Sequence, residues 1–150
     1  MGPTPFRALP PALEGDRFIS RARHFRRAAI PMADMEGPEP NWPKYFLVTQ
    51  AIELAIRAYI VFRAGLEPRP RGTTPRNHDL VGLYDYAVKN GLSRDPLVTA
   101  DLPHLSDLHQ INYARYPKGE VKPVALISQF DDMVDKLFAD IERVIALYRR

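Results

Sequence analysis

Residues 127–148, ISQFDDMVDKLFADIERVIALY, decide the fold class. Within them Ile127, Phe130, Val134, Leu137, Ile141, Val144 and Tyr148 recur at alternating intervals of three and four. Such intervals return a side chain to the same face of an α-helix, so the segment predicts a helix with one apolar seam. Begun near Pro123 and rising about 1.5 Å per residue, it would run roughly 35 to 40 Å. A seam of that length needs other helices alongside it, which predicts an antiparallel bundle.

Upstream, the segment 45–62 is apolar on nearly every face, the mark of a central helix that is covered all round, with Gly65 as its stop. Before it, Phe18, Ile19, Ala22, Phe25, Ala29 and Met32 recur at helical spacing from Asp16 onward, and Pro31 kinks or ends that helix. A third helix begins near His78, turns Leu80, Leu83, Tyr84, Ala87 and Val88 inward, and stops at Lys89-Asn90-Gly91, where a cation, an amide and a glycine suit a C-cap. A fourth, with Asp101 as its expected cap, carries Leu105, Leu108 and Ile111, and Pro117 ends it at Arg115 or Tyr116. No strand alternation of useful length and no internal repeat occurs. The expectation is an all-α, antiparallel up-and-down bundle of four to five helices over residues 16–150, preceded by an extended, proline-rich arm over residues 1–15.

With 150 residues the chain has the length of one domain. The net charge of +3 permits phosphate contact but falls well short of a dedicated nucleic-acid coat. Absence of cysteine excludes disulfides, thiolate nucleophiles and sulfur-ligated zinc. No secretory leader and no uninterrupted apolar stretch of bilayer-spanning length is read, so the expectation is a cytoplasmic protein with no membrane partner.

Two polar clusters stand at helix ends, where backbone groups are unpaired. Arg76-Asn77-His78-Asp79 opens the third helix, and Asn112-Tyr113-Ala114-Arg115-Tyr116-Pro117 closes the fourth. Asn77 is the expected cap of the third helix, His78 lies on its first turn, and Asp79 complements the helix dipole. Glu53 and Arg57, four apart in the otherwise apolar second helix, make either a seam ion pair of little net value or the wall of a pocket shared with the fourth helix. Arg115 beside Tyr116 sets a planar fork next to an aromatic face, suited to a phosphate and a stacked base; alternatively it binds its own last carbonyls or Glu53. The basic loop residues Arg69, Arg71 and Arg76 could add phosphate attraction.

His104 and His109 with Asp107 invite a metal reading. Histidines five apart lie on different helix faces, so no metal site is assigned there. No serine sits in a nucleophile elbow and no glycine-rich loop cradles phosphates, which excludes serine-hydrolase and P-loop chemistry. No cofactor and no catalytic residue is assigned.

From about Arg17 to Arg150 the chain resembles the HEPN domains, named for higher-eukaryote and prokaryote nucleotide binding. The carriers are the Ala22-Arg23-His24-Phe25 opening, Glu53 in an apolar second helix, the His78-Asp79-Leu80 start and the Asn112-to-Pro117 cluster before a long last helix. The resemblance implies a bundle that often dimerises through its long helices, and a polar cleft for nucleotide or RNA. Ribonucleases of the family carry an arginine, a neighbouring polar residue and a histidine a few positions later; here Tyr116 and Pro117 follow Arg115, and no histidine follows His109. The reading is therefore a homodimeric, non-catalytic binding module that holds a nucleotide, RNA or another phosphate-bearing ligand with Glu53, Arg57, His78, Asn112, Arg115 and Tyr116. One alternative is a metal-independent ribonuclease toxin in which His78 moves the proton and Arg115 stabilises phosphorane charge. Another is a scaffold for a protein partner.

Overall fold

The structure, a computed structural model, describes residues 11–64, 78–110, 114 and 124–148. Among them are five α-helices: α1 (Pro11–Ala29), α2 (Trp42–Ala64), α3 (Leu80–Lys89), α4 (Pro96–Gln110) and α5 (Asp131–Tyr148). One turn of 3-10 helix (Ile127–Phe130) leads into α5, and a two-residue antiparallel pair, β1 (Met35–Glu36) with β2 (Glu39–Pro40), lies between α1 and α2. The all-α expectation holds.

The organising element is α2. Every residue from Ala51 to Val61 is buried, because α1, α3, α4, α5 and the 3-10 turn all pack on it. By length and hydropathy alone it could cross a bilayer, although Glu53 and Arg57 interrupt its apolar run; 78% of its most apolar window is buried inside the protein. Asn41 caps it, accepting from Lys44 N–H at 3.2 Å while its own amide donates to the Ala33 carbonyl at 2.8 Å. Lys44 then reaches the Met32 carbonyl and Asp34, and Ser128 donates to the other Asp34 oxygen. These bonds to Ser128 and Lys44 hold the Asp34 carboxyl below its ordinary range. They also pin the turn before α5 to the entry of α2. Tyr45 strengthens the same joint by donating to the Ala125 carbonyl, and burial pushes its phenol up to about 12, so it remains a donor.

Several boundaries differ from the sequence reading. The helix α1 begins at Pro11, not Asp16, so residues 11–15 are not part of an extended arm; proline is tolerated in a first helical turn, where its missing N–H would have no partner. The cap of α3 is Asp79, whose carboxylate accepts from Gly82 N–H at 3.0 Å, and not Asn77, which lies outside the described residues. The helix α4 starts at Pro96 with Asp95 accepting from the N–H groups of Leu97 and Val98, which leaves Asp101 inside the helix. The expected end of α4 at Arg115 or Tyr116 falls outside the described residues. At its far end α3 stops as anticipated: Asn90 closes the last turn, and its carbonyl accepts from Tyr59 and Arg63 of α2. Gly91 follows at φ +107, a conformation that L side chains rarely adopt.

With 18 residues, α5 spans about 27 Å, shorter than anticipated because residues 124–126 are not helical and residues 127–130 form the 3-10 turn. Its buried face is Met133, Val134, Leu137, Phe138, Ile141 and Ile145, whereas Val144 is half-buried and Tyr148 exposed. A straight helix drifts about 20° per heptad away from a strict seven-residue repeat, so the far end of the seam rotates out of the core. Arg23 and Arg26 of α1 reach Glu142 and Asp135 of α5, and Arg26 also stacks 4.9 Å over the Phe138 ring.

The cap assignments can be separated in one experiment. Asp95→Ala should cost about 1 kcal/mol of stability, whereas Asp101→Ala should stay within about 0.5 kcal/mol; urea unfolding of both variants measures the difference.

Candidate functional site

Glu53 sits midway along α2 and is 5% exposed. A carboxylate at such depth must be fully partnered, since removing it from water costs on the order of several kcal/mol. Its partners come from three elements. Arg57, one turn on and 4% exposed, donates its Nε–H to Oε2 at 3.5 Å. His78, just before the cap of α3, places Nδ1 3.0 Å from Oε1. His109, in the last turn of α4, places Nε2 3.3 Å from the same oxygen. The two imidazole rings meet edge to face with centroids 4.9 Å apart.

Local structure explains each position. His78 has φ +67, the left-handed region that costs a non-glycine residue about 1 kcal/mol or more. The tight turn brings the ring to α2 while the next residue, Asp79, remains free to cap α3. His109 continues the buried stripe Val98, Leu102 and Leu105 of α4, one turn beyond Leu105. Ser106 in the same turn accepts from Val81 N–H at 3.3 Å and so joins α4 to the start of α3, close to where the histidines meet.

An ionised carboxylate only accepts hydrogen bonds, so the imidazole nitrogens that face it carry hydrogens. His78 is therefore the Nδ1–H form when neutral, with Nε2 left as a basic acceptor, and His109 is the Nε2–H form. Burial works to raise the Glu53 pKa, but the hydrogen bond from His109 and the charges of Arg57, His109 and His78 together outweigh it and bring the carboxyl down to about 2. No buried side-chain polar atom among the described residues lacks a hydrogen-bond partner. The cluster reaches solvent through His78, whose side chain is 34% exposed, against 6% for Glu53 and 3% for His109.

Three of the six residues expected at the site, Glu53, Arg57 and His78, thus converge. Asn112, Arg115 and Tyr116 lie outside the described residues, as do Arg69, Arg71 and Arg76. Sequence reasoning does not single out His109 for this cluster. Its signal is present as a histidine in register with an apolar stripe, which predicts a buried imidazole in need of a partner.

His104 behaves differently. It lies 6.4 Å from the Phe130 ring and lines a cleft of about 510 Å³ with Asp101, Asp107, Gln129 and Tyr45. The cleft is acidic, which disfavours phosphate there. His104 and His109 do face different ways, and that divergence is what allows His109 to meet Glu53.

Comparison of the chain with protein-family models, with curated proteins and with solved structures gave no match.

The lowered Glu53 pKa makes folding pH-dependent. Its contribution is complete above pH 4.5, the carboxyl's ordinary pKa, and disappears as the pH falls toward 2. At roughly 1.4 kcal/mol per pKa unit the contribution is about 3 kcal/mol. Glu53→Gln should therefore be less stable than wild type by about that amount at pH 7, with the gap closing between about pH 4.5 and pH 2. Urea unfolding across this range tests it, and a gap independent of pH contradicts the assignment.

Proposed function

We propose that the chain is an HEPN-like, antiparallel up-and-down bundle that works in the cytoplasm as a non-catalytic, homodimeric binding module for a nucleotide, RNA or another phosphate-bearing ligand. The observation that carries this reading is the convergence of the Glu53–Arg57 pair of α2 with His78 from the turn before α3, with His78 as the solvent-facing member. A buried polar cluster that opens through one partly exposed imidazole, itself in a strained backbone conformation, has the character of a recognition site more than of a packing device. Arg115, with Asn112 and Tyr116, supplies the phosphate fork and the stacking face in this reading. Leu147, 58% exposed at the end of α5, and the neighbouring Tyr148 supply apolar surface for self-association.

One observation favours catalysis as the second reading. Glu53 holds His78 through Nδ1, which leaves Nε2 as a base oriented by a carboxylate, the arrangement that general acid–base catalysis uses. In that case the molecule is a metal-independent ribonuclease.

Titration of nucleotides and short RNA into the full chain in EDTA tests the binding reading. Binding should weaken roughly 10- to 100-fold in Arg115→Ala, the loss of a charge-assisted contact. Absence of binding by wild type, or no weakening in the variant, refutes the ligand assignment and leaves a protein scaffold. RNA cleavage in EDTA that disappears in His78→Ala selects the ribonuclease instead. Light scattering should return the mass of a dimer; a monomer at high concentration rules out the self-associating face.

A further inference from the structure

We propose that Glu53, His78 and His109 form a binding site for one divalent transition-metal ion, with Zn²⁺ the best-matched species. One carboxylate oxygen and two imidazole nitrogens, from α2, the turn before α3 and the last turn of α4, lie within 4.8 Å of one another. The inference goes beyond ligand recognition and does not depend on it.

The donor set and its spacing both fit. Two imidazoles and one carboxylate are the protein ligands of many zinc sites that keep a fourth position open. In a tetrahedral centre with bonds of about 2.0 to 2.1 Å, neighbouring donors are about 3.4 Å apart. The two carboxylate-to-imidazole separations, 3.0 and 3.3 Å, are within a few tenths of an ångström of that edge. Only the imidazole pair needs to close, and His78, a third exposed and ending in a turn, is the ring with room to rotate.

The surroundings support the ion as well. Arg57 engages Oε2, which leaves Oε1 directed at the histidines and so fixes which oxygen coordinates. Glu53 and His109 are almost fully withdrawn from water, so the ion would gain two desolvated donors and keep its open position on the side of His78. The left-handed backbone at His78 is an independent sign that this side chain is positioned at a cost.

Proton balance is simple. Each facing nitrogen gives up its hydrogen so that its lone pair can bind. A neutral imidazole takes up a proton at its other nitrogen, with no net release, and an imidazolium releases one proton to solvent. The open position is filled by water or by an anionic oxygen.

The test uses the full chain, stripped with EDTA and then dialysed free of it. Zn²⁺ alone is titrated by calorimetry, and Co²⁺ alone is followed by its visible absorption. Expected are one Zn²⁺ per chain and the intense visible bands of tetrahedral cobalt. His78→Ala should weaken Zn²⁺ binding by about 100-fold or more, given that loss of a group that merely orients a ligand already costs roughly 10- to 100-fold. His104→Ala, in the separate acidic cleft, should bind as wild type does. No stoichiometric binding, affinity unchanged in His78→Ala, or affinity lost in His104→Ala overturns the proposal. Glu53→Gln and His109→Ala remove buried partners; if they fail to fold, His78→Ala and the wild-type cobalt spectrum still decide. Nucleotide is absent from this assay and metal is absent from the nucleotide titration, so the two assignments fail separately.

Discussion

One ionised carboxylate, that of Glu53, is placed midway along a buried and mostly apolar helix, and the arrangement around it follows from the need to compensate that charge. Left unpaired it would cost more than most cores can supply. Arg57 answers on the same helix, His78 from the start of α3 and His109 from the end of α4. The carboxylate thus joins three helices at one point, and the geometry that satisfies it is also what gives the site its chemistry.

Around this point the bundle is closed by ordinary means. Apolar burial along α2 supplies the bulk of the driving force. Polar contacts set the angles at which elements meet: Asp34 between Lys44 and Ser128 at one end of α2, Tyr59 and Arg63 on the Asn90 carbonyl at the other, and the arginines of α1 on the acids of α5. Partly exposed pairs such as Arg23 with Glu142 add little stability. Their role is register. The Glu53 cluster is different in kind, because Glu53, Arg57 and His109 are buried and meet at one carboxylate, so loss of Glu53 leaves buried donors uncompensated.

The acidic cleft and the Glu53 cluster divide the two histidines of α4 between them. His104 faces Phe130 and the aspartates, and His109 faces the core. Five residues of α-helix produce that division, and any reading that treats the two as a ligand pair fails for the same reason. His109 finds a metal-competent partner only because a different helix presents one.

What the amino-acid order determined alone is everything governed by neighbours three and four positions apart: the helices, the all-round burial of α2, the shared face of Glu53 and Arg57, and the stop at Asn90 and Gly91. These follow from backbone geometry repeated every turn. Boundaries were less legible, because Asp79 and Asp95 outcompete Asn77 and Asp101 as caps only once the turn before each helix takes shape. Tertiary structure alone decided the site. Glu53 is 25 residues from His78 and 56 from His109, and no local periodicity relates positions that far apart. Their meeting depends on how α3 and α4 settle against α2, which is set by side-chain packing across the whole core.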